Sequence, residues 1–185
     1  MADDRQSILE KLDSGLFWCR SCGEAHRGLF DLACIAPAAW PGSRAYRPIG
    51  ELRLDSTFLS SDFAVCEGRY FFVRCTLDIP VEGLPRAFGF GCWALLTKAD
   101  FLAYWDDFDN MEPASPEPWA GLLANDLPPY WGCTNLDCAV RVQPSRNRPK
   151  IELLGDAHPL ALAQRRGIAV EEMLAIYRAS GHEID

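Results

Sequence analysis

Cys19-Arg20-Ser21-Cys22-Gly23-Glu24-Ala25-His26 gathers two thiols and an imidazole into one short stretch. Two cysteines separated by two residues present both sulfurs to the same side of a turn, where they can share one tetrahedral Zn²⁺. Gly23 lets the backbone enter the left-handed region and bring amides toward the sulfurs, which favours the thiolate form. His26 supplies a third donor. No second CxxC completes the set, so the remaining ligand must come from a distant part of the chain. There are only three histidines. His158, beside the rigid Pro159 at a helix start, is the expected fourth ligand. His182 ranks below it because chain termini fray. Cys133 and Cys138 are more widely spaced than a zinc knuckle and read as buried thiols.

Three chemistries are open to such a group. Four protein ligands would close the shell and make the metal structural, tying the N-terminal turn to a C-terminal helix. Three ligands and a water would make a hydrolase, with Glu24 or Asp62 as general base. Without metal, the CxxC would be a thiol–disulfide pair, although the strand–helix–strand setting usual for that chemistry is not evident. The structural zinc is preferred. A second set, Asp62, Arg74, Arg148 and Glu152, could line one cleft, since a guanidinium recognises carboxylates and other anions with a planar fork. No nucleophile elbow, P-loop or dinucleotide fingerprint is present.

The remaining chain must position these residues. It has 185 residues, 49% of them hydrophobic, with a net charge of −8. That suits one domain with a substantial core and argues against both disorder and nucleic-acid binding. The apolar run 88–96 is too short for a membrane span and is broken by Gly89 and Gly91. A polar, acidic start and eight cysteines beside a large core point to a reducing cytoplasm rather than a disulfide scaffold. Residues 3–13 are patterned as an amphipathic helix ended by Gly15. Residues 63–67 and 69–81 read as a hairpin whose second strand is apolar on both faces and therefore central. Residues 88–96 form another strand, and Thr97 caps a helix over 98–108. Two strands, 136–143 and 150–154, are joined by a basic turn, and helices follow from Pro159 and Val170. The expected architecture is α+β: a mainly antiparallel sheet of about five to seven strands, helices at both chain ends and an N-terminal zinc knuckle. An N-terminal helix, 1–16, would precede a single domain, 17–180.

Charge is uneven: residues 99–118 hold six acidic residues and no Lys or Arg, with Trp105 inside the run and Trp119 just after it. Aromatic anchors rimmed by one charge suit a protein interface, so region 99–119 is the candidate surface for a basic protein partner.

Several motifs recur in order: Cys19-x-x-Cys22-Gly23-x-x-His26-x-Gly28-Leu29, Ser61-Asp62, Phe71-Phe72-Val73-Arg74, Ile79-Pro80-Val81, Arg148-Pro149-x-Ile151-Glu152-Leu153 and His158-Pro159-Leu160-Ala161. With these the chain resembles the bacterial family of domains of unknown function 2199 over about residues 17–177. The resemblance implies an uncharacterised bacterial cytosolic protein of one domain, and it sets His158 inside a family motif. It brings no activity with it. The chain departs from the family pattern at Phe30, Phe90, Ala163 and Arg166, where the family usually has Pro, Trp and two acids.

Overall fold

Strand β6, Tyr70–Ile79, sends Phe71, Val73, Cys75, Leu77 and Ile79 into the main core, and Phe72 and Arg74 to the other side, where they are also buried. A strand with two buried faces has to lie inside the sheet. The computed structural model describes residues 2–109, 117–144 and 147–184, and β6 is the hub of what it shows. It pairs antiparallel with β7, Phe88–Leu96, along nearly its whole length, from Phe71↔Leu96 to Ile79↔Phe88.

From β7 the sheet continues antiparallel through β8, Trp119–Leu123, β9, Asp137–Arg141, and β10, Lys150–Leu153. Strand β10 then returns to β6 in parallel, at Lys150↔Thr76, and closes a five-stranded barrel. Closure removes the free edges that an open sheet would expose. Short strands extend the sheet outside the ring: β3, Leu32–Ala33, lies parallel to β7, while β5, Phe63–Cys66, and β4, Phe58–Leu59, continue from β6. The outer edge of β6 is thus divided, β5 pairing with Tyr70 to Val73 and β10 with Thr76. The main sheet has eight strands among the described residues rather than the expected five to seven. The surplus lies in the two-residue strands: β3 is recruited by long-range parallel pairing with β7, and β4 folds back onto β5 through a short turn. A separate hairpin, β1, Leu16–Cys19, and β2, Glu24–Arg27, carries the knuckle.

Helix α1, Ala2–Asp13, buries Leu12 in the main core. Helix α2, Lys98–Asp107, starts at Thr97, whose hydroxyl accepts from the Asp100 N–H as the sequence predicts. Helices α3, Pro159–Arg166, and α4, Val170–Ala179, end the fold and bury Leu160, Met173, Ile176 and Tyr177. Outside the barrel, Phe72, Trp93, Leu59 and Ala64 form a second, smaller core under the chain around Ala36.

Phe63 fastens α2 to the barrel. Its fully buried ring meets Phe101, Tyr104, Trp105 and Phe108 at centroid distances of 4.9–5.5 Å. Phe63→Ala would lose both the transfer energy and four ring contacts around a fixed cavity. A loss of about 3–5 kcal/mol is expected in urea denaturation.

Candidate metal centre

The knuckle starts as a four-residue pairing in which Phe17 faces His26 and Cys19 faces Glu24. Alternation along β1 turns Phe17 and Cys19 inward and leaves Leu16 and Trp18 exposed. The Gly23 N–H closes the turn on the Cys19 carbonyl at 2.9 Å, with Gly23 at φ +71°. Cys19 and Cys22 therefore lie side by side, as the spacing predicts, and His26 Nε2 stands 3.1 Å from the Cys22 sulfur.

The fourth donor arrives from the other end of the chain. Helix α4 ends at Ala179, and Gly181, at φ +81°, reverses the backbone so that the His182 N–H bonds the Tyr177 carbonyl at 2.8 Å. His182 Nδ1 then lies 3.8 Å from the Cys19 sulfur. The ligand atoms of Cys19, Cys22, His26 and His182 all fall within 4.8 Å of one another, the one such group among the described residues. A tetrahedral zinc with ordinary Zn–S and Zn–N bonds needs donor–donor separations of roughly 3.3–3.8 Å. The Cys22–His26 and Cys19–His182 contacts span that range and no pair exceeds 4.8 Å, so the four side chains could close on one ion by local adjustment.

The two thiols differ. Hydrogen bonds from the Cys22 and Glu183 backbone amides outweigh burial at Cys19 and bring it down to about 6, with His182 and Cys22 adding to the effect. At Cys22 desolvation, reinforced by the neighbouring Cys19, pushes the thiol up. Two sulfurs this close resist ionising together. A divalent cation between them would remove that conflict.

A stack of rings holds the group against the fold. His26 lies on Phe30 at 4.1 Å and Phe30 on Tyr177 at 4.3 Å, both nearly parallel. His182 meets Phe30 edge-on at 5.0 Å. The Tyr177 hydroxyl accepts from the Phe30 N–H at 2.9 Å and donates to the Phe30 carbonyl at 2.7 Å, so one side chain satisfies both backbone groups. His26 and His182 also border a cavity of about 450 Å³, with Phe30, Asp31, Cys34 and Phe90 on its walls.

The other predicted residues stand elsewhere. His158 does not reach the cluster: its Nδ1 accepts the Leu160 N–H as the cap of α3, and its Nε2 faces the Trp131 carbonyl at 3.3 Å. Its proline neighbour marks a helix start, and the imidazole is used up in making it. Cys133 and Cys138 are buried, and burial drives their thiols up to about 11 and about 12. Glu24 and Asp62 are not members of the group. The proposed cleft divides: Asp62 pairs with Arg148 at 2.8 Å, Glu152 with Arg141 at 3.5 Å, and Arg74 with neither. Asp62 and Arg148 nonetheless bridge the place where β5 and β10 part along β6. His182 stands in the group instead, on a turn more than 150 residues from the knuckle, and Gly181 after a helix is the one local signal for it.

A family model described as an uncharacterized protein conserved in bacteria matches residues 18–168. The chain belongs to that family, DUF2199. No curated protein and no solved structure matches it. The DUF2199 match contains Cys19, Cys22 and His26, while His182 lies beyond it. No helix among the described residues is long and apolar enough to cross a membrane.

Tyr177→Phe would orphan the Phe30 N–H and carbonyl at once while keeping the ring stack. A loss of about 1–3 kcal/mol is expected in chemical denaturation.

Proposed function

We propose that this DUF2199 protein holds one structural Zn²⁺ on Cys19, Cys22, His26 and His182 and acts by binding another protein. The observation that carries the reading is the convergence of four donors of the right chemistry within 4.8 Å. Two thiolates and two neutral imidazoles form a closed, electrically neutral shell around zinc and leave no position for substrate. The ion would bind β1 and β2 to the residues after α4, two segments that otherwise meet chiefly through aromatic contacts. Eight free thiols are consistent with a reducing cytoplasm.

Binding is favoured over catalysis because the closed shell leaves no reactive centre, while large apolar side chains remain outside. Leu16 and Trp18 stay exposed on the outward face of the knuckle. The acidic run 99–119 supports a basic partner. Its described part sets Asp100 and Asp106 on α2, whose Trp105 is half-buried against Phe63; residues 110–116 of that region lie outside the described residues. Catalysis through a three-ligand zinc is the second reading, and the cavity bordered by His26 and His182 is what favours it.

Metal analysis of the purified protein separates the readings. One zinc per chain is expected, lost in Cys22→Ser and His182→Ala and retained in His158→Ala. Cobalt substitution should give the intense visible bands of a four-coordinate site with two thiolates, unchanged by added small anions. Zinc kept by His182→Ala together with a cobalt spectrum sensitive to anions would move the assignment to an open site. A metal-free protein that cannot be loaded with zinc would overturn both.

A further inference from the structure

Arg74 is a buried charge without a counter-charge among the described residues. Its side chain sits on the outer face of β6, opposite Trp93 of β7, with 7% of the residue exposed. A guanidinium stays protonated in any protein environment and offers five N–H donors. Here only Nη1 is used, toward two neutral oxygens: the Tyr46 hydroxyl at 2.7 Å and the Ser61 carbonyl at 3.4 Å. Nε is buried with no partner at all. None of the ion pairs among the described residues includes Arg74. The nearby Asp62, whose carbonyl accepts the Arg74 backbone N–H, commits its carboxylate to Arg148 and the Ser61 hydroxyl.

An uncompensated buried charge is among the most unfavourable arrangements a fold can contain. The rings of Tyr46 and Trp93, each 5.9 Å from the guanidinium carbon, offset part of it. They supply no lone pairs to the vacant donors. An anion with two oxygens would supply them.

The surroundings fit such a guest. Tyr46 is 42% exposed and belongs to the chain that runs over this face of the sheet. It is held through its hydroxyl, which donates to the Ile35 carbonyl at 2.9 Å while accepting from Arg74. That hydroxyl stands where an anion oxygen would be received. Arg44, two residues earlier on the same covering chain, adds positive charge to this side of the sheet: both Arg44 and Arg74 lower the thiol of Cys34 against its burial, and the Cys34 carbonyl accepts the Trp93 indole N–H.

We propose that Arg74, with Tyr46 over it and Arg44 adding charge from the covering chain, forms a binding site for a small oxyanion, a carboxylate or a phosphoryl group, held by the guanidinium fork with the Tyr46 side chain swinging aside. None of its residues belongs to the group of Cys19, Cys22, His26 and His182, so its variants should leave zinc content unchanged.

The test follows the thermal unfolding midpoint of the full chain at constant ionic strength, titrated with inorganic phosphate or with acetate against chloride. A saturable rise beyond the chloride reference is expected with at least one probe. A response to phosphate alone assigns a phosphoryl ligand, and a response to acetate alone a carboxylate. Arg74→Met removes the stranded charge for a chain of similar length; it should fold at least as stably without anion and lose the response. Tyr46→Phe removes the competing hydroxyl, leaves Arg74 intact and should saturate at lower anion concentration than the wild type. Arg44→Gln should require more. No saturable response to either probe in both the wild type and Tyr46→Phe would overturn the site, as would a response that survives undiminished in Arg74→Met.

Discussion

The parallel contact between β6 and β10 is the constraint on which the rest of the molecule depends. Four of the five barrel pairings are antiparallel neighbours that short or moderate connections can form. The fifth joins residues more than 70 positions apart, at Lys150↔Thr76, and the Thr76 N–H bonds the Pro149 carbonyl beside it. The Lys150 ammonium and the Asp78 carboxylate pair across the same junction. Without this contact β6 would keep an open edge beyond Val73, and the inner residues Cys75, Leu77 and Ile79 would lose one wall of their enclosure.

Closing the ring also forces the fork. Strand β6 is longer than either of its outer partners, so β5 leaves it where β10 takes over, and Arg74 and Cys75 fall between them. The Asp62–Arg148 pair clasps that gap from the two departing strands. On the other side of the sheet Phe72 and Trp93 face outward, too large and apolar to leave in water. The chain around Ala36 is therefore drawn over them by hydrogen bonds from Trp93 and Asn125. Arg74 is buried by a cover that the neighbouring aromatic side chains require.

How much of this was legible depended on how far apart the interacting groups are in sequence. The CxxC, Gly23 and His26 form a local unit, and spacing alone describes it. The two apolar faces of β6 announced its central place, and Thr97 announced the start of α2. Barrel closure left no trace, because a parallel contact of one register pair changes no local pattern. The fourth donor failed for a related reason. His158 had the stronger local signal in Pro159, but that signal concerned a helix cap. His182 had only Gly181, and its partner lies at the opposite end of the chain. The buried state of Arg74 was hinted at by its apolar neighbours, yet the absence of a carboxylate could be read only from the packed side chains.

Phe30 shows how the local and distant parts are joined. It stands where the resemblance leads one to expect proline, a residue with neither an N–H to donate nor an aromatic ring. In this chain the Phe30 N–H is bonded by the Tyr177 hydroxyl, and its ring is the middle layer between His26 and Tyr177. Tyr177 is fully buried, and its ring also meets Phe88 of β7 edge-on. A rigid path of stacked and hydrogen-bonded groups thus runs from the barrel wall through α4 to a histidine of the knuckle. The hairpin has only one four-residue pairing of its own and would be marginal in isolation. Its histidine is oriented by the barrel, so a metal held there would have less ordering to impose.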